Sequence, residues 1–337
     1  MSEAVRSAAA KLAEGDRPSP EEMTAAFEAI LGGQADPILI SAFLVALRVR
    51  GETASDIVAG ARVLRANART VKAPEGAIDT CGTGGLGWTS LNTSTAVALV
   101  AAGAGAKVAK HGNRSKSKAG SADVLEALGV NLNPTDEQIA ASFRDAGLAF
   151  MFAPAHHAAM RHVAPVRAAL GIRTVFNMMG PLANPAGVKR QVLGVFGTEW
   201  VEPFARALAA LGAEHALVVH GLDGMDEIST SGTTRVTELK DGSMRTMDLT
   251  PEFLGVPKAS LDQLRGGTAA ENAEALKQVL AGAPGPFADL VAVNAGAAIM
   301  VAGLAGDITE GAVLARKSMA DGRALASLEA LKAASNG

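Results

Sequence analysis

The stretch IDTCGTGGLGW, which runs from Ile78 to Trp88, determines how the rest of the chain is interpreted. A short apolar segment leads into Gly82, Gly84 and Gly87, which have the G-x-G-x-x-G spacing of a phosphate-binding turn between a strand and a helix. A dinucleotide-binding fold also needs an acidic residue roughly 20 positions further on. The sequence has no Asp or Glu from Leu86 to Ala122. The turn therefore predicts a cradle for an anion other than a dinucleotide.

The chain changes character a few residues before this turn. Residues 1–72 carry only helix signals, among them the capping box at Ser19–Glu22 and an Asp36-Pro37 start for a helix that ends at Gly51. From residue 73 onward, strands and helices alternate, which is typical of a parallel sheet covered by helices. Further elements are predicted as follows: a helix opened by Thr53–Asp56, a helix opened by Thr135–Gln138 and closed by Gly147, a strand over 148–152, a helix over Glu199–Leu211, and a strand over 215–220.

These patterns predict an α/β protein with two domains. A small, all-helical N-terminal domain covers 1–72, with a contribution from about 165–182, and a larger α/β domain with a mostly parallel sheet covers 73–337. Arg235–Met247 contains Asp241-Gly242 at its centre, which predicts a hairpin that adds an antiparallel edge to the sheet.

Composition excludes several classes of protein. The 337 residues carry a net charge of −3, whereas a nucleic-acid-binding domain is expected to be basic. The single cysteine, Cys81, cannot form an intramolecular disulfide or a thiolate zinc cage, which suits a reducing cytoplasm. No signal peptide is evident, and the longest uncharged apolar runs, 96–106 and 290–306, are shorter than the ~18 residues of a membrane span. We therefore expect a cytoplasmic protein that binds neither membranes nor nucleic acid.

Three segments carry anion or metal chemistry. Residues 82–95 combine glycines with Ser, Thr and Asn side chains at the predicted start of a helix, where amides favour anions. Residues 107–118 hold five cations within twelve residues. Asp226 and Glu227 follow a predicted strand, and paired carboxylates suit Mg²⁺. Each segment alone could be an ordinary solvated turn, but three on one sheet describe a Mg²⁺-pyrophosphate site. His156, His157 and His162 lack metal-ligand spacing and could simply line that site.

Taken in order, these segments resemble the anthranilate phosphoribosyltransferase family. The resemblance spans roughly residues 20 to 330 and is carried by Gly82–Gly85, Asn92–Thr95, Lys110–Arg114, Gly120–Leu125, Asn177–Leu182 and Asp226-Glu227. It implies transfer of a phosphoribosyl group from 5-phosphoribosyl pyrophosphate (PRPP) to the amine of anthranilate, with release of pyrophosphate, in tryptophan biosynthesis. It also implies Mg²⁺, with two ions expected, and a homodimer formed through the helical domain.

The resemblance assigns residues to each ligand. For PRPP they are Gly82, Gly85, Leu86, Ser90, Asn92, Thr93, Ser94, Thr95, Lys110, His111, Gly112, Asn113, Arg114, Ser117 and Ser121. For anthranilate they are Gly82, Asn113 and Arg167, with the Arg167 guanidinium pairing with the carboxylate. For the metal they are Ser94, Asp226 and Glu227. No residue is assigned as a general acid or base, because departure of pyrophosphate and positioning of a neutral amine can supply most of the catalysis.

The chain departs from the family pattern at two points. Leu86 stands where the family usually has an aspartate, and the basic loop is one residue shorter between Arg114 and Gly120. Two other functions also remain open. A class II pyrimidine nucleoside phosphorylase would share the fold and a glycine-rich anion loop but would not be expected to combine Lys110–Arg114 with Asp226-Glu227. A non-catalytic, nucleic-acid-binding relative would be expected to have lost the acidic pair and gained basic surface.

Overall fold

The computed structural model describes residues 2–84, 90–115 and 118–337. Gly85, Leu86 and Ser117, which belong to the predicted PRPP-binding set, lie outside the described residues. The α-helices in the described parts are α1 (Ser2–Glu14), α2 (Pro20–Leu31), α3 (Pro37–Arg50), α4 (Ala54–Ala66), α5 (Thr93–Gly103), α6 (Ser121–Ala127), α7 (Asp136–Ala146), α8 (Ala153–His156), α9 (Ala164–Leu170), α10 (Val175–Met179), α11 (Val201–Ala210), α12 (Ala269–Leu280), α13 (Pro286–Val301), α14 (Ile308–Ala320) and α15 (Arg323–Asn336). Short 3-10 helices span Ala158–His162, Gly180–Leu182, Thr198–Trp200 and Leu261–Leu264.

One seven-stranded sheet forms the centre of the larger domain. Its strands are β1 (Ile78–Gly82), β2 (Val108–Gly112), β3 (Leu148–Phe152), β4 (Arg190–Gly194), β5 (His215–Gly221), β6 (Thr234–Lys240) and β7 (Ser243–Leu249), in the spatial order β3-β2-β1-β4-β5-β6-β7. The first five strands of this order run parallel, and β6 and β7 form the predicted antiparallel hairpin. The expected α/β fold with a mostly parallel sheet is therefore confirmed.

Local sequence signals account for most helix boundaries. The capping box predicted at the start of α2 forms, since the Glu22 side chain accepts from the Ser19 amide at 2.8 Å. The equivalent boxes at Thr53 and Thr135 open α4 and α7, and Gly147 ends α7 in the left-handed conformation, with φ 69°. The helix predicted over Glu199–Leu211 starts later, because 198–200 form a 3-10 turn and no side chain caps α11. Within the described residues, none of the helices is both long and apolar enough to cross a bilayer.

Two large hydrophobic cores lie on opposite faces of the sheet. One combines α5 and α13 with residues of β1, β2, β4 and β5. The other joins α1–α4, α9, α10 and α11 to the opposite face of β4, β5 and β6. Phe27 of α2 contacts both Phe43 of α3 and Phe176 of α10 edge-on, at ring-centroid distances of 5.6 and 6.0 Å. The 165–182 segment therefore packs on the N-terminal helices.

Candidate active site

The carboxyl ends of β1, β2 and β5 open into one cleft of about 840 Å³. This is where open parallel sheets bind ligands, because the loops that follow neighbouring strands meet there. Most of the described candidate residues line the cleft: Gly82, Ser90, Asn92, Thr93, Ser94, Lys110, His111, Gly112, Asn113, Arg114, Ser121, Arg167, Asp226 and Glu227. Thr95 does not, because it follows Ser94 on α5 and the turn of the helix buries its side chain.

The glycine-rich turn is tied to the acidic turn. The Gly84 amide donates to Oδ2 of Asp226 at 3.2 Å, and Gly84 has a φ of +63°, a conformation that favours glycine. A side chain at Gly82 would place its Cβ 2.6 Å from the same carboxylate oxygen. A side chain at Gly194, where β4 ends, would overlap the Asp226 carbonyl. Glycines at two strand ends therefore make room for the Asp226 turn.

The first turn of α5 faces the cleft with its positive end. Asn92 occupies the capping position of this helix, but its side chain forms no capping hydrogen bond. The Asn92 side chain is instead used between loops: Nδ2 donates to the Ala119 carbonyl at 2.9 Å, and Oδ1 accepts from Nδ2 of Asn272 at 2.9 Å. Among the described side chains, none therefore caps the N-terminus of α5, which can receive an anion, while Asn92 links the glycine-rich and basic loops.

Lys110 is the only lysine of the basic segment that is enclosed by protein within the described residues. Its side chain is 1% exposed, and Nζ donates to the Thr80 carbonyl at 2.6 Å and to Oγ of Ser94 at 3.3 Å. Burial lowers the pKa of Lys110. Burial also raises the pKa of the nearby Asp79 carboxyl, which accepts from Nδ2 of Asn184 at 2.8 Å. A buried cation is therefore fixed beneath Ser94 at the floor of the cleft.

The basic loop is partly neutralised by α6. The Arg114 guanidinium forms ion pairs with Asp123 at 2.9 Å and with Glu126 at 2.8 Å. The Ser121 hydroxyl donates to the Asn113 carbonyl at 3.3 Å. Arg114 therefore reaches the cleft edge with its charge already partnered, which its sequence pattern did not indicate.

The acidic turn supplies two carboxylates to the same cleft. The Asp226 side chain is nearly buried, and burial raises its pKa despite the hydrogen bond from Gly84. Burial raises the pKa of Glu227 well above its ordinary value, and the Asp226 charge adds to this, although the Glu227 residue is partly exposed at the cleft surface. Desolvated, mutually repelling carboxylates are the environment in which a divalent cation is favoured.

The donor set fits Mg²⁺ bound together with a phosphate-bearing substrate. Within the described residues, no cluster of three or more His, Cys, Asp or Glu side chains could enclose a metal unaided. Magnesium usually takes only one or two protein carboxylates and completes its shell with water and phosphate oxygens. Asp226, Glu227 and the Ser94 hydroxyl could serve as such a partial set.

Two histidines form an uncharged pair beside the cleft. The rings of His111 and His157 are 5.1 Å apart, edge to face, and both side chains are buried. Burial lowers the pKa of His111 to about 3 and that of His157 to about 4. Both rings are therefore neutral at physiological pH and add no positive charge to the anion site.

Two arginines reach the cleft from the segment between the 3-10 turns at 158–162 and 180–182. Arg167 lies 5.9 Å from the Phe176 ring centroid, and none of the described carboxylates forms an ion pair with it. Arg173 was not among the predicted site residues. Its guanidinium stacks 3.8 Å over Phe196 and donates to the Gly84 carbonyl at 3.0 Å. One feature of the sequence could have pointed to Arg173: it is the only charged residue between Arg167 and Lys189.

A helical bundle joined to a parallel-sheet domain, with a cleft at the strand ends that suits an anion and Mg²⁺, is the architecture of a transferase of the two-domain glycosyltransferase class. Two family models agree: the helical bundle domain of the glycosyl transferase family matches residues 6–68, and its a/b domain matches residues 74–325. Sequence relatives narrow the assignment further. Anthranilate phosphoribosyltransferase from Parvibaculum lavamentivorans is 55% identical, over 97% of this chain and 96% of the relative. The enzyme of that name from Rhizobium meliloti is 51% identical, over 97% of each chain.

Solved structures agree with the sequence relatives. The crystal structure of anthranilate phosphoribosyltransferase from Thermus thermophilus has a TM-score of 0.92 and 45% identity, covering 98% of this chain and 99% of that one. The Saccharomyces cerevisiae enzyme in complex with PRPP and Mg has a TM-score of 0.90 and 30% identity, covering 98% of each chain. The chain belongs to the anthranilate phosphoribosyltransferase family.

Proposed function

We propose that the chain transfers the phosphoribosyl group of PRPP to the amine of anthranilate, with release of pyrophosphate, as a step of tryptophan biosynthesis. The observation that carries this proposal is the convergence, in one cleft, of a helix N-terminus, a buried lysine and an acidic pair. These groups match the separate needs of a phosphate chain and its metal. The family assignment supplies the acceptor.

For PRPP, we propose contacts from the predicted residues other than Thr95, whose buried side chain does not line the cleft. The first turn of α5 and the Ser94 hydroxyl line the cleft, and Lys110 holds its charge beneath them. Positive charge and amide donors stabilise the departing pyrophosphate as its negative charge develops. Gly85, Leu86 and Ser117 keep their predicted roles on the strength of the sequence alone.

For the metal, we propose Ser94, Asp226 and Glu227 as ligands and a requirement for two Mg²⁺ ions. Mg²⁺ would neutralise pyrophosphate charge and act as a Lewis acid on its oxygens. Asp226 remains fixed by the Gly84 amide, while Glu227 lies against the first turn of α5, where the Ser94 amide favours its ionised form. These contacts pre-orient both carboxylates toward the phosphate site.

For anthranilate, we propose Gly82, Asn113 and Arg167. Arg167 has no carboxylate partner among the described side chains, so it can pair with the anthranilate carboxylate in a bidentate contact. Gly82 and Asn113 line the same cleft as Arg167, so all three can face one bound aromatic acid. Such positioning brings a neutral amine to the reacting carbon without a dedicated general base.

The proposed reaction is tested by the loss of anthranilate fluorescence in the presence of PRPP and Mg²⁺, with each component omitted in turn. We expect turnover only in the complete mixture. Asp226→Asn should lower the rate and shift the Mg²⁺ titration to higher concentration, since a neutral amide is a weaker ligand than a carboxylate. Asp145→Asn, an exposed aspartate paired with Arg144, is the matched control. A parent protein that leaves the fluorescence unchanged in the complete mixture contradicts the proposal.

We also propose a homodimer formed through α3. Ile38 and Val49 of this helix are 78% and 83% exposed, and Val45 lies on the same side of the helix. Exposed apolar residues in a row are unusual on a monomer and mark an interaction surface.

We propose a cytoplasmic location, which fits the two water-soluble substrates and the reduced Cys81.

A further inference from the structure

The turn that carries Asp226 and Glu227 has no regular secondary structure to hold it. It connects the end of β5 at Gly221 to the start of β6 at Thr234. Two backbone bonds close its base, from Gly221 to Met225 and from Leu222 to Thr233, both at 2.8 Å. Such a turn keeps one conformation only if side chains hold it elsewhere.

Asp223 joins the two halves of this turn. Its Oδ1 accepts from the Met225 amide at 3.1 Å, just before the acidic pair. Its Oδ2 accepts from the hydroxyls of Ser229 and Ser231, which follow the acidic pair. One carboxylate therefore fixes the chain on both sides of Asp226 and Glu227.

Asn294 of α13 holds the same turn from below. Its Oδ1 accepts from the Ile228 amide at 2.8 Å, and its Nδ2 donates to the Ile228 carbonyl at 2.9 Å. Nδ2 also donates to the Leu290 carbonyl at 2.9 Å. Asn294 is 1% exposed and Ile228 is fully buried. The Asn294 side-chain amide thus satisfies both backbone groups of Ile228, the residue next to Glu227, at a buried position.

We propose that Asp223 and Asn294 are positioning residues, which act on the reaction by fixing the carboxylates of Asp226 and Glu227 at the separation that Mg²⁺ requires. This inference rests on the proposed metal role of those carboxylates. Outer groups that orient metal ligands commonly change metal affinity or activity by about 10- to 100-fold when removed. A residue that only stabilises the fold would change the melting temperature and leave the Mg²⁺ dependence unaltered.

The test compares Mg²⁺ titrations of the initial rate for Asp223→Ala, Asp223→Asn, Asn294→Asp and the parent. Asn294→Asp keeps the acceptor for the Ile228 amide but loses the donation to the two carbonyls. We expect the half-saturating Mg²⁺ concentration to rise about tenfold in Asp223→Ala and Asn294→Asp, with the KM for anthranilate changed less than about twofold. Asp223→Asn should recover part of the loss, because its amide can still bond the Met225 amide and the serine hydroxyls.

Asn131→Asp is the matched control. Asn131 Nδ2 donates to the Ser335 carbonyl at 2.9 Å and its Oδ1 accepts from the Asn133 amide at 2.9 Å, away from the cleft. The Asn131→Asp variant loses a side-chain amide donation to a backbone carbonyl, as Asn294→Asp does. Its Mg²⁺ titration should match that of the parent. Parent-like titrations in Asp223→Ala and Asn294→Asp, alongside lowered melting temperatures, overturn the inference; if Asn294→Asp does not fold, Asp223→Ala decides alone. A parent without turnover at any Mg²⁺ concentration rejects the proposed function, and the inference with it.

Discussion

Among single residues, the buried pair His111 and His157 makes the stability of the fold depend on pH. The folded state holds their pKa values near 3 and 4, against 6.5 for an unperturbed histidine. The unfolded chain therefore binds more protons below pH 6.5, so this stability is present at pH 7 and is lost as pH falls toward 4. At pH 5 the loss is about 2 kcal/mol for each histidine. Denaturant unfolding at pH 7 and pH 5 measures this effect. Between the two pH values, the free energy of unfolding should fall less in His111→Gln than in the parent; an equal fall contradicts this prediction.

A second pair of residues, Arg167 and Arg173, allows the two substrates to be distinguished. Both side chains lie over phenylalanine rings and line the same cleft, but within the described part of the glycine-rich turn only Arg173 forms a hydrogen bond, to the Gly84 carbonyl. Loss of a charge-assisted bidentate contact costs about 1.5–3 kcal/mol, or roughly 10- to 150-fold in binding. Arg167→Ala should therefore raise the KM for anthranilate by that factor and leave the KM for PRPP nearly unchanged. Arg173→Ala should instead raise the KM for PRPP. Steady-state kinetics with each substrate varied in turn tests this prediction. If the KM of Arg167→Ala for anthranilate equals the parent value, Arg167 does not bind anthranilate.

Among the secondary-structure elements, the ends of β1 and β4 are shaped to receive the acidic turn. Gly194→Ala would drive a methyl group into the Asp226 carbonyl, which would displace the turn and its carboxylates. Gly232→Ala is the matched control on the same turn, because its Cβ would meet Asp223 at an ordinary 3.6 Å. We expect Gly194→Ala to lose most activity and Gly232→Ala to retain it, as measured by anthranilate fluorescence. Equal activity in the two variants would show that the Asp226 turn tolerates displacement.

The elements also show what could be predicted from the sequence. Capping boxes and strand-terminal glycines are local patterns, so the starts of α2, α4 and α7 and the sheet class could be predicted correctly. The α11 start was misplaced because no side-chain cap marks it. The residues that hold the site in place could not be predicted in this way. Asn294 bonds Ile228, which is 66 positions away in the sequence, and Arg173 bonds Gly84, which is 89 positions away. No periodicity or motif encodes such pairs. The ligand roles of the site residues and the boundary near residue 73 stay predictions.

Across the molecule, the N-terminal helices share one hydrophobic core with a face of the sheet. Phe27 is fully buried and contacts Phe43 and Phe176, so it joins the N-terminal helices to the segment that carries Arg167 and Arg173. Phe27→Ala should cost about 3–5 kcal/mol, because the cavity it leaves lies between well-packed helices. The N-terminal helices and the sheet domain both depend on this core. Calorimetry of Phe27→Ala should therefore show a single unfolding transition, at a lower temperature than in the parent, in which the helices and the cleft unfold together. Two separate transitions, with activity persisting after the first, would mean that the helical part and the sheet domain fold independently.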